Sequence, residues 1–164
     1  MKPICLFAST ERGDPASGII RFFDLSDISH VGFMRLCDGW TFSAMVDGGV
    51  KWRPPNPHAK ILLLDTPRVM DMFAMALTKE GAEYNKLAIV GMVFHRNWSN
   101  ANDEFCNQLV FWTAEGMPDP DPLINPTFIP IQHTWPSDLL KSTKVTKLEI
   151  DVKTLPWANP ENVQ

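Results

Sequence analysis

With 164 residues, 45% hydrophobic and 21% charged, the chain has enough apolar material for one core and too little length for two ordinary domains. A net charge of -4, with Lys and Arg scattered singly, excludes a broad basic field and with it nucleic acid or an anionic membrane as partner. Cys5, Cys37 and Cys106 form an odd set without CxxC spacing, which excludes a disulfide framework and a structural zinc site and fits reduced thiols in a cytosolic setting.

The opening apolar run is too short for a signal sequence and no stretch of about 18 uninterrupted apolar residues occurs, so a cytoplasmic protein with no transmembrane segment is expected. Delivery by a phage particle or a secretion machine stays open. Pro3 to Ala8 reads as a strand, Ser9 to Asp14 as a polar loop, and Pro15-Ala16 as the start of a helix whose apolar face holds Ile19, Ile20, Phe22 and Phe23.

His30 to Met45 has the pattern of a hairpin, with Asp38-Gly39 as its turn pair, and Gly48-Gly49 leads into a further strand, Val50 to Arg53. The stiff loop Pro54-Pro55-Asn56-Pro57 precedes the buried strand Lys60 to Asp65. A helix follows from about Arg68 to Glu80, then a second apolar segment from Tyr84 to Phe94. The clustered methionines of this region suit core filling.

Glu104 to Glu115 reads as a third helix, entered through Asn102-Asp103 and stopped by Gly116 and Pro118. Pro118 to Pro136 holds six prolines and suits an extended connection. Ser137 to Lys141 makes a helical turn and Val145 to Val152 alternates like a final strand. One domain over residues 1–155 is expected, with 156–164 as a frayed tail.

Cys106 falls about three residues inside the third helix, where unpaired N–H groups and the positive end of the dipole favour a thiolate and could hold an oxyanion. The commoner fate of a free cysteine is a small buried hydrophobe. His30 opens the first hairpin strand, near a sheet end from which an imidazole can reach a neighbouring helix terminus. A two-residue turn at Asp38-Gly39 would pair Cys37 with Trp40 and place Asp47 across from His30, with Ser43 on the same face; either could orient the ring. His58, His95 and His133 suit solvent or helix ends, and no two histidines have ligand spacing, so no metal is assigned.

Taken in order, Ser29-His30-Val31-Gly32-Phe33, Val46-Asp47-Gly48-Gly49-Val50, Tyr84-Asn85, Phe105-Cys106-Asn107-Gln108-Leu109-Val110 and Ser137-Asp138-Leu139 resemble the circularly permuted branch of the NlpC-like, papain-like hydrolases. Ser17 to Phe23 also looks like that branch's first helix, so the resemblance runs over residues 3 to about 141. It implies an α+β fold with an antiparallel sheet or small barrel packed against a helix bundle, Cys106 as nucleophile and His30 as its base. It further implies Ser43 where a Glu, His or other polar orienting residue is usual, and Tyr84 near the oxyanion, although core packing serves Tyr84 equally well.

The expected activity is hydrolysis of an amide, ester or thioester by a Cys–His mechanism, or acyl transfer, on a small-molecule, peptide or lipid acyl substrate, with no cofactor implied. The alternative is a binding or structural protein that keeps the fold without turnover, for which Ser43 at the orienting position is the motive.

Overall fold

β1 (Ile4–Thr10) is buried along its whole length, and a strand with no polar face can only be satisfied at the centre of a covered sheet. In this computed structural model, which describes residues 3–10, 15–56, 59–84, 106–119, 123 and 134–158, β1 lies there. β2 (His30–Arg35) pairs with one edge of it and β5 (Lys60–Asp65) with the other, both antiparallel. β3 (Thr41–Met45) and β4 (Gly49–Arg53) continue beyond β2, and a two-residue β6 (Thr146–Lys147) continues beyond β5. The order β4-β3-β2-β1-β5-β6 is an open antiparallel sheet, so the sheet arm of the α+β expectation holds and closure into a small barrel does not.

Strand alternation divides the apolar side chains between two clusters. Leu6, Ala8, Val31, Phe33, Phe42, Ala44 and Leu64 face the helices. Cys5, Phe7, Met34, Leu36 and Leu63 form a second cluster. α2 (Val69–Leu77) brings Val69, Met72, Phe73 and Ala76 to the helix-side core. α3 (Cys106–Glu115) buries eight of its ten residues, more than one face, because it lies on β2 and β3 and against α2 at once. α1 (Pro15–Asp24) contributes Ile20, whereas Phe22 is exposed, against expectation. Its last residue, Asp24, accepts from Ser137 Oγ at 2.5 Å and from the Ser137 N–H at 3.2 Å, tying α1 to the 3-10 turn Pro136–Lys141.

Three expectations are revised. The β2–β3 turn is not a two-residue turn at Asp38-Gly39: Met34 pairs with Thr41, the Arg35 N–H donates to the Trp40 carbonyl at 2.9 Å, and the loop is Leu36 to Gly39. Within this loop the Arg35 guanidinium grips the Asp38 carboxylate from the strand end at 2.9 and 2.5 Å. The expected strand Val145 to Val152 keeps only Thr146 and Lys147 in the ladder, and Leu148 adds one further bond, its N–H donating to the Leu63 carbonyl at 2.9 Å. Pro156–Ala158, expected in the frayed tail, form a 3-10 turn instead. Trp157 packs into the second cluster and donates through Nε1 to the Leu36 carbonyl at 3.1 Å. The segment after Tyr84, the entry through Asn102-Asp103, most of the proline-rich connection, His58, His95, His133 and residues 159–164 lie outside the described residues.

Candidate functional site

His30 opens β2 opposite Ser9 of β1. Its Nε2 lies 2.9 Å from Ser43 Oγ, its ring rests on Phe7 at a centroid distance of 5.6 Å, and the residue is 7% exposed. Gly32 makes this contact possible, because a Cβ there would lie 2.7 Å from the Ser43 Cβ and 2.8 Å from the Phe42 carbonyl. The close approach of β3 to β2 at this point therefore requires glycine.

The register explains which orienting candidate meets the ring. Counting from Asp38-Gly39 put Asp47 opposite His30, but the observed pairing is displaced by two residues. A two-residue displacement keeps every side chain on its own face while moving it along the partner strand. Ser43 thus stays on the His30 face and arrives beside the ring. Asp47 is carried into the exposed β3–β4 turn, where its backbone carbonyl accepts from Arg53 Nη2 at 2.7 Å. Asp47 therefore does not lie opposite His30.

Burial drives the His30 pKa down to about 3, and the Arg53 guanidinium adds to the drop. The imidazole is neutral across the physiological range, with Nε2 engaged by Ser43 and Nδ1 the nitrogen left for other chemistry.

Cys106 is the first described residue of α3 and is 1% exposed, within the helix-side core. The backbone N–H groups of Val31, Asn107 and Cys106 itself favour its thiolate, but burial outweighs them and pushes the thiol up to about 12. The thiol donates weakly to Asn107 Oδ1 at 3.9 Å. That carboxamide is itself clamped, since its Nδ2 donates to the Thr134 carbonyl at 2.6 Å and to Thr134 Oγ1 at 2.7 Å. Asn107 and Thr134 are residues that motif reasoning did not single out for a role. Asn107 is the residue next to the cysteine in the helix, and Thr134 lies 27 positions away.

The sulfur and the imidazole therefore meet the same end of β2, the first through the Val31 N–H and the second through the neighbouring residue. They come from its two faces: Val31 belongs with the helix-side core and Phe7, under His30, with the second cluster. Among the described residues no hydrogen bond joins Cys106 and His30. Tyr84 lies in the helix-side core as well, in keeping with its packing role. Among the described residues no group of three or more His, Cys, Asp or Glu is gathered as a metal site, and no helix is long and apolar enough to cross a membrane.

Comparison with family models and with curated proteins finds no match. Among solved structures the fold is similar to that of the metalloprotein yiiX from Escherichia coli O157:H7, a DUF1105 protein, with a TM-score of 0.61 and 16% identity over 89% of this chain and 95% of that one. At that identity the likeness concerns the fold alone.

Proposed function

We propose that the protein is a thiol hydrolase or acyltransferase of the permuted papain-like kind, with Cys106 as nucleophile and His30 as general base oriented by Ser43. The observation that supports this reading is that a sulfur favoured by three backbone N–H groups and an imidazole whose Nε2 is already held flank the same end of β2, one on each face. The N–H groups are suited to an oxyanion, and Ser43 leaves Nδ1 as the acceptor for the thiol proton.

Because burial keeps both groups neutral at rest, no thiolate is stored. The proton passes from Sγ to His30 Nδ1 as sulfur bonds to the acyl carbon, and the imidazolium then protonates the leaving amine or alkoxide. Water or another acceptor, deprotonated by the same nitrogen, releases the acyl group from sulfur. Ring and sulfur, which lie on the two faces of β2, have to come within hydrogen-bond reach past the strand end for this to occur, and the polar carbonyl of the substrate offsets part of the desolvation that holds the thiol high.

Intact-mass analysis after incubation with p-nitrophenyl esters and small peptide amides tests the reading. The expected result is an acyl adduct confined to Cys106, forming at least about 100-fold more slowly in His30→Ala. Turnover in Cys106→Ala equal to that of the native chain would overturn it.

A second reading, a binding or structural protein that keeps this fold, is favoured by a different observation: the sulfur is 1% exposed and unlinked to the ring. It expects no adduct at Cys106 with any of these acyl donors.

A further inference from the structure

The sheet face turned away from α3 carries a groove of about 1140 Å³, a little above the roughly 300–1,000 Å³ typical of small-molecule sites. Its floor is aliphatic, with Ile61 of β5 beside Leu148 and Ile150 of the C-terminal segment. Two indoles, Trp40 and Trp157, stand in its lining. Trp157 is fixed in place: its Nε1 donates to the Leu36 carbonyl at 3.1 Å, and its ring lies directly on Gly39, where φ is +72° and any Cβ would collide with it. The wall is thus preformed, so a ligand does not bear the cost of ordering it.

The charges around this groove have one sign left over. Lys60, Lys147 and Lys153 line it, all exposed, and among the described residues none of their ammonium groups has an ion-pair partner. Of the two acids in the lining, Asp38 is held by Arg35, whereas Asp151, which accepts the Lys153 backbone N–H at 3.0 Å as a turn cap, keeps its charge, so the three lysines leave a net positive excess. An aliphatic floor, aromatic walls and unpaired ammonium groups at the rim complement a molecule with a long hydrocarbon chain and an anionic head.

We infer that this groove binds a single-chain anionic amphiphile, a free long-chain fatty carboxylate, with the chain on Ile61, Leu148 and Ile150 and the carboxylate among the lysines. The site lies across the sheet from Cys106 and does not depend on the hydrolase reading. A neutral amphiphile lacks the head that the lysines would hold, and a folded partner would need a flatter surface than this concave one.

Titration of the full chain with hexadecanoate below its critical micelle concentration, followed by calorimetry, tests the inference. One saturable site is expected. Its affinity should fall at least about tenfold in Leu148→Asp and about tenfold in the triple variant K60A/K147A/K153A, and should be unchanged in Cys106→Ala. Hexadecanoate methyl ester should bind at least about tenfold more weakly than the acid. The triple variant changes only exposed side chains, so it remains informative if Leu148→Asp fails to fold. Absence of saturable binding, equal affinity for acid and ester, equal affinity in the triple variant, or loss of binding in Cys106→Ala would each overturn the inference.

Discussion

His30 holds a neutral imidazole in a place where its protonated form is heavily disfavoured, and this makes the folded state sensitive to acid. In the unfolded chain the ring titrates near its ordinary value of 6.5, whereas in the fold it does so at about 3. Between those values the unfolded chain binds the extra proton, so stability falls as pH drops from 6.5 toward 3, by up to about 1.4 kcal/mol per pH unit from this residue. Urea unfolding at a series of pH values should show this slope in the native chain and its flattening in His30→Gln. The thiols act at the other end. Cys5 and Cys106 are both pushed up to about 12 by burial from an ordinary 9.0, so the unfolded chain releases these protons first and stability falls as pH rises from 9 toward 12. Cys106→Ala should lessen that alkaline loss. Ser43→Ala is expected to destabilise the fold by about 1–3 kcal/mol, because it leaves a buried ring nitrogen without its partner, and to lower any Cys106-dependent acylation rate about tenfold while Cys106 remains the site of attack.

At the scale of elements, the end of α1 carries a visible strain. Leu25 follows the helix with φ +51° and is 93% exposed. This is the helix C-terminal position where glycine is the usual residue, since a Cβ is disfavoured in the left-handed region. Leu25→Gly should therefore raise stability by about 0.5–1 kcal/mol in denaturant unfolding, with no effect on the candidate site. The β2–β3 hairpin shows a different element-level effect. Arg35 and Asp38 bridge a four-residue loop, and the register that goes with this loop decides that Ser43, not Asp47, meets His30. One exposed ion pair contributes little stability by itself, and it is the length of the loop that goes with the residue found beside the imidazole.

For the molecule as a whole, the helices cover one sheet face and the C-terminal segment covers part of the other. Leu148, Ile150, Val152, Leu155 and Trp157 pack on Cys5, Phe7, Met34, Leu36 and Leu63, so the last turns serve as a second core wall. Trp157→Ala should cost about 2–4 kcal/mol, seen as a lower urea midpoint, and should widen the groove. A chain ending before Thr146 would leave this cluster open to water and is expected to aggregate.

Local pattern alone determined a good deal of this protein. The alternating and apolar runs of the first five strands, the helix at Val69, the described part of the helix at Cys106 and the turn at Ser137 all follow from periodicity and from the residues that start and stop elements. The candidate thiol and imidazole were likewise legible, because a helix-entry cysteine and a strand-end histidine are local features. Only the tertiary structure decided whether the sheet closes, which orienting residue reaches the ring, that Asn107 is clamped by Thr134, and that Trp157 is a wall instead of a tail. Each of these depends on contacts between residues distant in the chain. The pKa values of His30 and Cys106 depend on how completely the rest of the molecule removes them from water, and a sequence pattern does not contain that quantity.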